Sequence, residues 1–134
     1  MAARLTELVG VYHADGGPVG EVRYVVGKLL GTAHCGLCDV THATVRRRPA
    51  WDAMVARLGV PVGLVHLNEM APDVARAVAD GGSPAVLGRV EGGGLELLLG
   101  EAELDALEGS VDRFEAALRD ALARRGLELA ATAA

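Results

Sequence analysis

Prolines and glycines cut this chain into short segments, and their placement constrains the fold more than any other feature. Pro18, Pro49 and Pro72 stand where helices would begin, a position at which the missing proline N–H costs nothing. Gly31, Gly59 and the Gly81-Gly82 pair stand where those helices would stop. Inside these limits the apolar residues recur at helical spacing. Val19, Val22, Val26 and Leu29 mark a helix ending at Leu30, with Lys28 in the last turn, where the helix dipole favours a cation. Trp51, Met54, Val55 and Leu58 fall at i, i+3, i+4 and i+7, the cleanest amphipathic pattern in the chain. Val74, Ala77 and Val78 mark a third helix. Ser110 is placed to cap a final one bearing Val111, Phe114, Leu118 and Leu122, with Arg124, Arg125 and Gly126 at its end.

The segments between helices read as strands. Residues 8–13 and 60–67 are short apolar runs rich in valine and leucine, and 85–90 faces 95–99 across a turn at 91–94. A short helix is expected over 101–107. The predicted order is β-α-α-β-α-β-β-α, an α/β chain with a mixed sheet. The strand–helix–strand part calls for a right-handed crossover and a parallel pair, and the hairpin adds two antiparallel strands. With 134 residues the chain is one domain, assigned to 1–126, with a cysteine-bearing insertion at about 32–48. The alanine-rich stretch 127–134 reads as a fraying tail.

Composition removes several function classes. A net charge of −5 provides no basic face for nucleic acid, and 3% aromatic residues leave little on which bases could stack. Arg46-Arg47-Arg48 reads as a solvated helix entrance. No apolar run approaches the roughly 20 residues that span a bilayer, and no charged-then-apolar leader pattern opens the chain. A cytoplasmic protein with no membrane or nucleic-acid partner is therefore expected. Gly27-Lys28 fails as a phosphate loop, because Val22 and Leu29 replace the required glycine and hydroxyl and the segment lies inside a helix.

Chemistry concentrates in His34-Cys35-Gly36-Leu37-Cys38-Asp39-Val40-Thr41-His42, which holds both cysteines and two of the four histidines. Two thiols separated by two residues can close a disulfide or grip one soft metal ion. For redox work Cys35 and Cys38 supply the attacking and the resolving sulfur, in either order, no cofactor is required, and the partner is a protein or small-molecule thiol or disulfide. For metal binding, Cys35, Cys38 and His42 offer three ligands to zinc or copper. His34 is an awkward fourth beside Cys35, and His13 or an external ligand could complete the set. A buried, unreactive pair in a non-catalytic interaction module is the third reading. His13 and His66 end the two parallel strands and are candidates for proton transfer. Asp15-Gly16-Gly17-Pro18 reads as a tight turn at a helix start.

The stretch Gly82-Ser83-Pro84-Ala85-Val86-Leu87, taken with the element order over Leu8 to Leu107, resembles the thioredoxin and glutaredoxin fold. The resemblance implies a cis Ser83–Pro84 peptide opening the third strand, with Ser83, Pro84 and Asp15 on the substrate side. One departure stands out. That family carries Cys-x-x-Cys at the turn after the first strand, whereas here the turn is Ala14-Asp15-Gly16-Gly17-Pro18. Cys35 and Cys38 follow a helix of about a dozen residues, which carries the chain roughly 18 Å away. They reach the proline end only if 32–48 folds back along the sheet. The run Val9-Gly10-Val11-Tyr12-His13-Ala14-Asp15-Gly16-Gly17 with the cysteine cluster also resembles a poorly described family of small bacterial proteins carrying His-Cys-x-x-Cys-x-x-x-His. That second resemblance implies no particular activity.

Overall fold

The longest strand, β1 (Ala3–Val11), has partners on both of its edges. In the computed structural model, which describes residues 3–13, 36–41 and 48–130, β1 pairs in parallel with β2 (Val62–Val65) through Leu8–Val62 to Val11–Val65. Its other edge pairs antiparallel with β3 (Ala85–Val90), from Leu5–Val90 to Val11–Ala85. The hairpin partner β4 (Leu95–Leu99) lies antiparallel beyond β3, and the three glycines at 92–94 take positive φ in the turn between them. The strand order is β2-β1-β3-β4. The parallel pair and the hairpin are those expected from the apolar runs. The protein is a mixed α/β fold on a mixed five-stranded sheet.

The fifth strand departs from expectation. Leu127–Leu129, predicted within a fraying tail, forms β5 and pairs in parallel with Ala3–Leu5. Leu5 pairs with both Val90 and Leu129, so β5 lies on the same edge of β1 as β2, end to end with it. The cause is burial: Leu129 is 2% exposed within the main core, and a three-residue strand leaves little alternation to read in sequence. β1 also begins five residues before the predicted run. The register shifts between Leu5 and Glu7, so Thr6 is an extra residue opposite the β3 ladder. Leu5 and Leu8 are thereby both buried in one core, which hides the strand from a period-two reading. β2 is shorter than the predicted 60–67, because the chain turns into a 3-10 segment at Leu67–Glu69.

Helices cover both faces. Alternate residues of β1 and β3, Val9, Val11 and Leu87, pack with Val74 and Val78 of α3 (Pro72–Gly81). On this face Arg89 bonds Glu7 across the strands and Asp73 on α3, and the guanidinium holds the Asp73 carboxyl below its usual range. The opposite face carries Leu5, Leu8, Tyr12, Val86 and Leu98 beneath α1 (Gly36–Thr41), α2 (Pro49–Leu58), α4 (Glu101–Asp105) and α5 (Val111–Arg125). Trp51 on α2 meets Phe114 on α5 edge-on with centroids 4.9 Å apart, a favoured aromatic geometry. The predicted caps are present: Ser110 Oγ accepts from the Arg113 N–H, and Gly59 and Gly126 end their helices at φ 75° and 66°. The helix expected over residues 18–30 lies outside the described residues. Among the described residues, no helix is long and apolar enough to cross a membrane.

Because Leu129 is part of the main core, Leu129→Ala should lower unfolding free energy by about 2–5 kcal/mol in a urea titration. A tail without tertiary contacts would leave the midpoint unchanged.

Candidate functional site

The last β1–β3 pair, Val11–Ala85, brings the exit of β1 beside the residues that introduce β3. Tyr12 continues the parallel ladder for one more bond, its N–H donating to the Val65 carbonyl at 2.9 Å. Tyr12, His13, His66, Ser83 and Pro84 therefore gather at one end of the sheet. The Ser83–Pro84 peptide is cis. His13 Nδ1 lies 2.9 Å from Ser83 Oγ, a hydrogen bond joining the exit of β1 to the entrance of β3. The pair is exposed.

The helix bearing Cys38 reaches this same end. α1 has six residues, too few for a helix to hold its shape unaided. Burial supplies the support: Leu37, Val40 and Thr41 are 0% exposed and Cys38 is 8% exposed. Leu37 rests over Gly10 of β1, where a Cβ would come within 3.1 Å of Leu37 Cδ2 and 2.8 Å of Leu64 Cδ2. Glycine there lets the thiol helix lie against the strand. A polar tie completes the docking. Tyr12 Oη and Thr41 Oγ1 are 2.9 Å apart, and Thr41 Oγ1 donates to the Cys38 carbonyl at 3.3 Å. With the threonine hydrogen directed at that carbonyl, Tyr12 is the donor of the longer-range bond. The Thr41 carbonyl in turn accepts from the Arg48 N–H at 2.7 Å, just ahead of α2. Cys38 is disulfide-bonded. The chain contains two cysteines.

His66 braces Tyr12 from the other side. Their ring centroids are 5.0 Å apart at an interplanar angle of 53°. Glu69 Oε1 accepts from the His66 backbone N–H at 2.9 Å and lies 2.6 Å from His66 Nδ1. The backbone bond first, then the ring bond, holds the Glu69 carboxyl below its ordinary range. An ionised carboxylate can only accept, so Nδ1 carries the hydrogen and Nε2 is the ring's other nitrogen.

Of the residues singled out in the sequence, Cys38, His13, His66, Ser83 and Pro84 stand at or toward this end of the sheet. His13 turns to Ser83, and His66 to Tyr12 and Glu69. Cys35, His34, His42 and Asp15 lie outside the described residues. Among the described residues, no three His, Cys, Asp or Glu side chains converge as a metal site. Three of the four candidate ligands fall outside that set. Sequence reasoning gave no role to Tyr12 or Thr41, since the bond that joins them spans 29 residues. It also missed Glu69, although a carboxylate three residues after a histidine is within reach in a single turn.

The chain matches no protein-family model, no curated protein and no solved structure.

Two outcomes follow from the geometry. Gly10→Val places a branched side chain under Leu37 and should cost about 1–3 kcal/mol of stability by overpacking. The same variant should raise Cys38 alkylation in reduced protein, read by mass spectrometry. The Glu69 effect has a defined sign. Its folded value is depressed, so its stabilisation is full above the unfolded value of 4.5 and is lost as pH falls through the lower folded value. Glu69→Gln should therefore be less stable than the parent at neutral pH and converge on it as pH falls through the depressed folded value. Urea midpoints measured across that range check the crossover.

Proposed function

We propose that this protein is a dithiol–disulfide oxidoreductase of thioredoxin-like architecture, acting through Cys35 and Cys38. The observation that carries the reading is the disulfide at Cys38, on a helix tied through Thr41 and Tyr12 to the sheet end that holds Ser83–Pro84. The order β2-β1-β3-β4, with a parallel first pair and an antiparallel second and third, supports the architecture. So does the cis peptide entering β3. The displaced cysteines would then restore, from a different segment, the sulfur that the turn after β1 lacks.

In the proposed cycle Cys35 attacks as the thiolate and Cys38, which is buried, resolves. The Cys35 thiolate attacks one sulfur of a substrate disulfide, forming a mixed disulfide and releasing a thiolate that takes a proton. Cys38 gives up its proton and attacks the Cys35 sulfur, releasing the second substrate thiol and closing the intramolecular disulfide. Two electrons pass to the substrate. The exposed His13–Ser83 pair is positioned to meet an extended peptide at the β3 entrance. A cytoplasmic setting suits such a dithiol, since thiol systems there regenerate the reduced form.

The test uses full-length protein purified without chelator. Titrated with reduced and oxidised glutathione, it should show one reversible disulfide per chain. Cys38→Ser should accumulate a mixed disulfide with glutathione, and Cys35→Ser should form none at the attacking position. Elemental analysis supplies the contrary result. About one zinc or copper per chain, released on Cys38→Ser substitution, would favour metal binding by Cys35, Cys38 and His42 instead. Two unreactive thiols without metal would leave an interaction module.

A further inference from the structure

Building on the dithiol reading above, we infer that Tyr12 is a positioning residue for Cys38, whose hydrogen bond to Thr41 favours the closed disulfide over the open dithiol. The tie runs without a gap from the sheet to the cysteine main chain. Tyr12 is 4% exposed, its N–H is bound to Val65 of β2, and its ring is set against His66, itself clamped by Glu69. Its hydroxyl donates to Thr41, and Thr41 donates to the Cys38 carbonyl. The Tyr12 end of the tie is anchored on the sheet, and its Thr41 end lies on the short helix that carries Cys38.

The six-residue helix gives this tie its leverage. A helix that short is held by its surroundings, and the disulfide and the Tyr12–Thr41 bond are two restraints on the same turn. Each removes freedom that the other would otherwise have to remove, so they reinforce one another. Linkage then requires reciprocity: a tie that forms better with the disulfide closed favours closure to the same extent. Opening proceeds with two molecules of a small thiol. The protein S–S bond breaks, both cysteines leave as thiols carrying the two protons, and the small thiol is oxidised to its own disulfide. The tie opposes this step by holding the Cys38 turn where closure needs it. Its role is distinct from acid–base catalysis, because it acts on the cysteine main chain and not on the reacting sulfur.

The experiment is a glutathione titration of the full chain, reading the dithiol–disulfide midpoint by mass after acid quenching and alkylation. Tyr12→Phe should shift the equilibrium toward the dithiol by about three- to tenfold, the range that loss of one hydrogen bond spans. That is about 15 to 30 mV more positive, at roughly 30 mV per tenfold. Thr41→Val should shift it similarly, Thr41→Ser should keep the parent midpoint, and the double variant Tyr12→Phe with Thr41→Val should add little. A merely structural hydrogen bond would lower the stability of both redox forms alike and leave the midpoint in place. Folded Tyr12→Phe or Thr41→Val protein with the parent midpoint therefore overturns the inference. If Tyr12→Phe does not fold, the contrast between Thr41→Val and Thr41→Ser decides it. A parent protein that forms no disulfide at any glutathione ratio would sink the dithiol reading itself, and this inference with it. An unmoved midpoint in a parent that does titrate would remove Tyr12 alone.

Discussion

Hydrogen bonding on both edges of β1 holds the layers of this protein together. β3 occupies one edge over most of its length, while β2 and β5 share the other end to end. Those pairings bring Ala85 beside Val11 and Leu129 beside Leu5, so segments distant in sequence meet along a single strand. The helices then pack according to which face of that strand they find. α3 takes the face of Val9 and Val11, and the cysteine-bearing helix takes the face of Leu8 and Tyr12. Loss of the β1 ladder would separate the thiol helix from the Ser83–Pro84 entrance at once, because both are located by it.

An aromatic-poor core shapes the site. Aliphatic side chains fill most of the main cluster, and Trp51 and Phe114 are used together to join α2 to α5. Tyr12 is spent differently. It combines apolar bulk with one hydroxyl, and that hydroxyl meets Thr41, a polar residue that is fully buried. Such a bond is worth little in water but is stronger, and harder to lose, in a dry interior. Charge is kept outside: Arg57, Glu115 and Arg119 join α2 to α5 at the surface, and Glu69 steadies His66 at the rim. Cys38 thus lies in the main apolar core, beside the point where Tyr12 and Thr41 meet.

Much of the scaffold was legible because its signals are local. Gly59 and Gly126 take left-handed conformations that glycine adopts without a Cβ clash, Ser110 caps as its spacing implied, and 91–94 turns as a glycine run should. Long-range placement was less legible. β1 looked short because Arg4, Thr6 and Glu7 interrupt its apolar run, and β5 has three residues and no turn before it except a helix cap. α1 is too brief to show a 3.6-residue period, so its course was visible only through Leu37 on Gly10 and Tyr12 on Thr41. Of the candidate site, Cys38 was marked by its spacing from Cys35, and Ser83–Pro84 by the resemblance of its stretch. Their mutual arrangement depended on contacts that no single segment encodes.

The extra residue at Thr6 has a consequence best expressed as parity. Side chains on a strand alternate, so position along it acts as an odd–even code for the two faces. From Glu7 to Val11 the odd residues face α3; before the irregularity the code is inverted, and odd Leu5 shares the core of even Leu8. β5 couples to the inverted portion, and β2 to the ordinary one. One residue thus acts as a frame shift within a single strand, allowing two independently read halves to serve one sheet. Pairing Thr6 into the ladder, so that no residue is left over, would recode everything upstream. Leu5 would be turned to the face of Arg89 and Asp73, and the contact that recruits the C-terminal strand would be addressed to the wrong layer.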